Sequence, residues 1–266
     1  MTFLDATILG LLQGVTEFLP VSSSGHLALA RDALDYAPPG GVLVEVLMHV
    51  GTALAIVVVF ARDMVPLVAA GTKIFSPWSW RVAWETDEHF RLAALLVISA
   101  IPVAVVGLAF EDRVEALFDD TEFVGVMLVV TGCLLLMLHF MKPRGRAPVG
   151  LRATIVMGLA QAAAILPGIS RSGSTITAGL LAGSSREAVG RFAFLMSLPP
   201  ILGVAILKVG DAEVSNVDVG PLILGMAVAF ASGVVALKLL LGFVARGRVA
   251  LFAPYCLIVG VLALCR

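Results

Sequence analysis

Six apolar runs constrain this chain more than any other feature. They lie at about 42–61, 92–110, 123–141, 190–207, 220–241 and 249–265. Each is roughly 17–23 residues, the length a helix needs to cross the hydrocarbon core of a bilayer. A spanning helix satisfies its own backbone, so lipid tolerates it. With hydrophobic residues at 59%, charged residues at 14% and a mean hydropathy of +1.02, nearly all charge falls in short connections. The chain reads as one integral membrane domain over 1–266. A net charge of −1 gives no reason to expect a nucleic-acid partner. Cys133, Cys256 and Cys265 sit in apolar runs without metal spacing and read as packing residues. No Lys or Arg precedes Arg31, so the basic start of a signal peptide is missing from the sequence as given.

Two further apolar regions, near 3–32 and 151–182, are interrupted. In the first, Gln13 and Glu17 share a helix face before Pro20 stops the helix, and Ser22, Ser23, Ser24, Gly25 and His26 follow. In the second, Gln161 precedes Pro167-Gly168, then Ser170, Arg171, Ser172, Gly173, Ser174 and Thr175. At an offset of 148, Gly10, Leu11, Gln13, Ser22, Ser24 and Gly25 meet Gly158, Leu159, Gln161, Ser170, Ser172 and Gly173. This predicts an internal repeat, 1–141 and 149–266, of the kind that places a site where two halves meet. Gly10/Gly14 and Gly179/Gly183 have the spacing of close helix packing.

Loop charge sets the expected topology. Lys142, Arg144, Arg146 and Arg152, and then Arg246 and Arg248, mark cytoplasmic connections. The connections 111–122 and 208–218 are acidic and external. Counting spans between them makes the second interrupted region enter and leave on the cytoplasmic side. By symmetry the first is also re-entrant, from the opposite face. The expected fold is therefore an all-α polytopic membrane protein, with six transmembrane helices and two re-entrant hairpins in an inverted repeat. Both termini are external, and 62–91, with Lys73, Arg81, Trp78, Trp80 and Trp84, is an interfacial cytoplasmic segment.

If the hairpin tips converge, helix N-termini and Arg171 make a cradle for phosphate or another small oxyanion. Gln13, Ser22, Ser24, Ser170, Ser172, Ser174 and Thr175 are the expected phosphate-binding residues. Glu17 and His26 go beyond anion binding: a carboxylate can orient a nucleophile or hold a divalent cation, and an imidazole can carry a proton. Ser22, Ser23 or a water could be the nucleophile. Glu17, Ser23, His26 and Arg171 are thus the expected catalytic set, with Glu17 as the expected metal ligand. His49 and His139 read as structural or interfacial, and His89 as a loop residue. A transporter or flippase for an anion or a lipid carrier would use the same architecture, and is the competing expectation.

Gln-x-x-x-Glu-Phe-Leu-Pro-Val-Ser-Ser-Ser-Gly-His at 13–26 and Pro-Gly-Ile-Ser-Arg-Ser-Gly-Ser-Thr at 167–175 resemble the two signatures of the undecaprenyl-diphosphate phosphatase (BacA/UppP) family. The resemblance extends over essentially the whole chain. It implies a hydrolase of the bacterial cytoplasmic membrane that removes the terminal phosphate of undecaprenyl diphosphate and so recycles the lipid carrier of cell-wall synthesis. It implies a site open to the external side, a divalent cation (magnesium or calcium), a polyprenyl diphosphate substrate and a homodimer. The matched functional residues are Glu17, Ser22, Ser23, His26, Ser170, Arg171 and Thr175. Gln13 stands where many members carry a first glutamate, which removes one negative ligand from the expected metal site.

Overall fold

A computed structural model describes residues 1–34, 41–76, 78, 80–141, 145–210 and 218–265. Among the charges used to set the topology, Lys142, Arg144, Asp211 and Glu213 lie outside the described residues, as does the connection 35–40. Among the described residues the regular structure is all helix, apart from one isolated bridge between Ala147 and Ser184. In chain order the helices are α1 (Phe3–Phe18), α2 (Ser23–Leu34), α3 (Gly41–Val59), α4 (Ala61–Gly71), α5 (Trp80–Thr86), α6 (Glu88–Ala109) and α7 (Glu111–Ala116). They continue as α8 (Thr121–Met141), α9 (Leu151–Ala163), α10 (Arg171–Leu181), α11 (Arg186–Leu195), α12 (Leu198–Gly210), α13 (Val219–Ala245) and α14 (Ala253–Leu264).

Several helix starts follow directly from the sequence. Thr2 and Asp5 form a reciprocal capping box on α1. Asp87, Ser170, Ser185 and Asp218 cap α6, α10, α11 and α13 by accepting from amides of the first turn. The Asp87 carboxylate also accepts from Lys73 at 2.6 Å, which holds its pKa below the usual carboxylate value.

Four segments are long and apolar enough to cross a membrane: Glu88–Ala109, Thr121–Met141, Arg186–Leu207 and Val219–Ala245. A fifth, Val44–Val59, continues into Ala61–Gly71 through a 96° bend. The chain is a multi-pass membrane protein. The bend falls at the expected end of the 42–61 run and sends α4 away from the span. Asp63 on α4 is gripped by both Nε and Nη2 of Arg191, at 3.1 and 2.9 Å. The last expected run, 249–265, is a 3₁₀ turn followed by the twelve-residue α14. At 1.5 Å per residue α14 alone covers about 18 Å, less than the core thickness of about 30 Å.

The interrupted helices pack most extensively on helices remote in sequence. α1 lies along α13, and α9 along α6. Close approach explains the glycines: a Cβ on Gly14 would sit 2.5 Å from the Ala229 carbonyl oxygen, and one on Gly158 would sit 2.9 Å from that of Ser99. Neither contact can yield without moving backbone. Gly14→Ala is therefore expected to cost about 1–3 kcal/mol, read as a lowered Tm of the purified protein. Gly179 also packs tightly, on Met157 and Val189, but a Cβ on Gly183 would meet nothing within 4 Å. Its φ of +91° and the N–H it donates to the Leu180 carbonyl make it the terminator of α10, which corrects the packing role expected from its spacing.

Candidate active site

Each interrupted helix stops where its proline demands, and each break is rebuilt by serine. After Pro20 the chain turns at Ser22, whose φ of 71° lies in the left-handed region that side chains with a Cβ seldom adopt. The Ser22 hydroxyl accepts from the Gly25 amide at 3.2 Å, and the Ser22 carbonyl accepts from the His26 amide. After Pro167 the chain turns at Gly168, φ +94°, and the Ser170 hydroxyl accepts from the Gly173 amide at 3.1 Å. Thr131 of α8 locks this second break, donating to the Gly168 carbonyl and accepting from the Ser170 amide.

The two breaks touch. A Cβ on Gly25 would lie 3.0 Å from the Gly168 Cα, and one on Gly173 would lie 3.3 Å from the Pro20 Cβ. The Ser172 hydroxyl reaches the Leu19 carbonyl at 3.3 Å. Cys256 on α14 supports the first break, its thiol donating to the Pro20 carbonyl.

Across this junction Glu17 pairs with Arg171 through Oε1 and Nη2. Its Oε2 accepts from Ser23 Oγ at 2.6 Å and from Gln13 Nε2 at 3.0 Å. A carboxylate buried to this degree is held only by donors that satisfy it, and three surround this one. Glu17, Ser22, Ser23, Ser24, Ser170 and Arg171 line a cavity of about 310 Å³. Leu27, Val103, Phe118, Pro200, Ile201, Val204 and Ala205 give the same cavity an apolar wall.

Five expected site residues are not among those lining this cavity. Gln13 is fully buried behind Glu17 and serves that carboxylate. The His26 ring lies between the Ser22 carbonyl, 2.7 Å from Nδ1, and the Tyr255 hydroxyl, 2.8 Å from Nε2. A carbonyl only accepts, so Nδ1 carries the proton and Nε2 accepts from tyrosine; both nitrogens are used in holding the turn. Ser172 bonds to Ser170 and Leu19, and the Thr175 hydroxyl bonds back to the Arg171 carbonyl at 2.8 Å. Ser174, a turn further along α10, lines a separate groove between α8 and α9. Only the first turn of α10 reaches the cavity.

Two residues from elsewhere join the site. His49 Nε2 lies 3.6 Å from Glu17 Oε2, and Nδ1 faces the Glu45 carbonyl at 2.9 Å. Glu45 lines the cavity and pairs with Arg31. Gln161, expected in the cavity beside the second break, also lines it. Glu45 and His49, four apart on an apolar span, were the available signal: intramembrane ionisable residues sharing a face.

The donor set does not fit a resident divalent cation. Both oxygens of Glu17 are engaged by donors, and among the described residues no three His, Cys, Asp or Glu side chains converge as a metal site.

The family model described as bacitracin resistance protein BacA matches residues 6–262. The chain belongs to the BacA family. Among BacA-like relatives, the undecaprenyl-diphosphatase of Syntrophotalea carbinolica is 42% identical over 263 residues, covering 98% of this chain and 97% of that protein. The undecaprenyl-diphosphatase of Bacteroides fragilis is 38% identical over 272 residues, covering 99% and 98%. That of Korarchaeum cryptofilum is 38% identical over 261 residues, covering 98% of each.

Proposed function

We propose that this protein is an integral membrane phosphatase that hydrolyses undecaprenyl diphosphate to undecaprenyl phosphate and inorganic phosphate, recycling the carrier for cell-wall synthesis. Full-length likeness to named undecaprenyl-diphosphatases supports the substrate. One observation carries the chemistry: a buried carboxylate that touches both a serine hydroxyl and a guanidinium, each from a different helix break, inside one cavity.

Arg171 binds and neutralises non-bridging phosphate oxygens, adding its fixed charge to the amides at the start of α10. Ser23 Oγ, or a water bound to it, attacks the terminal phosphorus and gives its proton to Glu17. As the new P–O bond forms, the bond to the bridging oxygen breaks and undecaprenyl phosphate leaves with the proton from Glu17. Attack by water yields inorganic phosphate at once; attack by Ser23 leaves a phosphoserine, which a water deprotonated by Glu17 then hydrolyses, breaking the P–Oγ bond and releasing inorganic phosphate and the free hydroxyl. The apolar wall formed by Val103, Ile201 and Val204 suits the first isoprene units. Magnesium or calcium would come bound to the diphosphate rather than to Glu17. His26 acts as a positioning residue through Ser22. Tyr255→Phe, which removes one hydrogen bond to His26, is expected to cost about 1 kcal/mol of stability, and phosphate release should fall by less than tenfold.

We infer the finer topology from loop charge: six crossings, two re-entrant hairpins, external termini and a site open to the external face of the inner membrane. Impermeant labelling of single cysteines placed at residues 2 and 147 tests this, with residue 2 accessible from outside and residue 147 protected. Phosphate release from undecaprenyl diphosphate by the purified protein tests the activity itself; undiminished carrier with no phosphate released would overturn it.

A further inference from the structure

The two halves match at Gln13 and Gln161, but four residues on they differ: Glu17 in the first half stands opposite Ile165 in the second. The consequence is visible in hydrogen bonding. Gln13 Nε2 is consumed by Glu17. Gln161 has no acid to serve, and both Oε1 and Nε2 of its amide are buried without a partner. The residue is 1% exposed and lines the cavity beside Ile165, Ser170 and Arg171. An unpaired buried amide is costly, and natural proteins keep such groups where a ligand satisfies them.

We propose that Gln161 is a substrate-binding residue of the phosphatase site, whose Nε2–H donates to a non-bridging oxygen of the bound diphosphate. Its Oε1 takes a hydrogen bond from water or from a protonated phosphate oxygen. The inference rests on the phosphatase reading, but the ligand it needs is only a phosphate anhydride. The second half contributes a guanidinium and a free amide; the first contributes the acid and hydroxyl. Binding and proton handling are thereby divided between the copies of the repeat.

Gln161→Leu separates this role from a structural one. Removing an unsatisfied buried amide should leave the Tm of the ligand-free protein unchanged or raised. The KM for undecaprenyl diphosphate should rise about tenfold, and so should the inhibition constant of inorganic pyrophosphate, the loss of one hydrogen bond to a charged partner. The Tm gain on adding inorganic pyrophosphate should shrink in step. Gln161→Met, unbranched and of similar length, is the second variant should leucine not fold. A lowered ligand-free Tm with unchanged KM and pyrophosphate response would overturn the proposal, because the amide would then be structural. So would wild-type values throughout. A wild-type protein that releases no phosphate, yet is stabilised by pyrophosphate more than Gln161→Leu, would remove the phosphatase reading and retain Gln161 as a diphosphate ligand.

Discussion

Arg171→Ala should lower phosphate release by about 10²–10³-fold, the usual cost of losing one preorganised group that stabilises transition-state charge. The guanidinium is the charge that reaches the cavity from the second break, and it comes from the first residue of α10, where backbone amides point the same way. Arg171→Lys should recover only part of the activity, since an ammonium lacks the planar fork that grips two phosphate oxygens. Phosphate release by purified variants, alongside their gel-filtration profiles, checks both. Wild-type turnover by the alanine variant would end the scheme.

Glu17→Gln carries the second large effect. The carboxylate is the acceptor for Ser23 and the partner of Arg171, so its loss removes the proton acceptor and frees the guanidinium together. A fall of about 10²–10⁴-fold in kcat is expected for a lost general base. The double variant Glu17→Gln with Arg171→Ala should be scarcely worse than the poorer single one, because the two act as a unit. Effects that multiplied in the double variant would show that they act independently.

How far the sequence led can be judged on particular residues. Four of the six expected spans, and a fifth as part of a bent pair, were legible because apolarity over about 20 residues has one economical solution in lipid. The pairing of Glu17 with Arg171, 154 residues apart, was legible because the duplicated pattern required two breaks to meet. His26 stands outside the cavity lining for a local reason. It follows the serines closely, but α2 carries it toward the Ser22 carbonyl and Tyr255 of α14 rather than toward Glu17. His49 was misjudged for the opposite reason: α3 is remote in sequence from both motifs, and only the packing of helices brings its ring to Glu17. Ser174 and Thr175 were assigned by motif membership, which does not say how deep into a helix the cavity extends.

The order in which the ribosome delivers the pieces gives the Glu17–Arg171 contact a further meaning. The acid is made first, and its counter-charge emerges only 154 residues later. Its other two donors in the folded protein, Gln13 and Ser23, belong to the same early stretch. The catalytic centre therefore comes into being late, when the second half docks, and a prematurely terminated product would carry the acid into the bilayer but could not process the lipid.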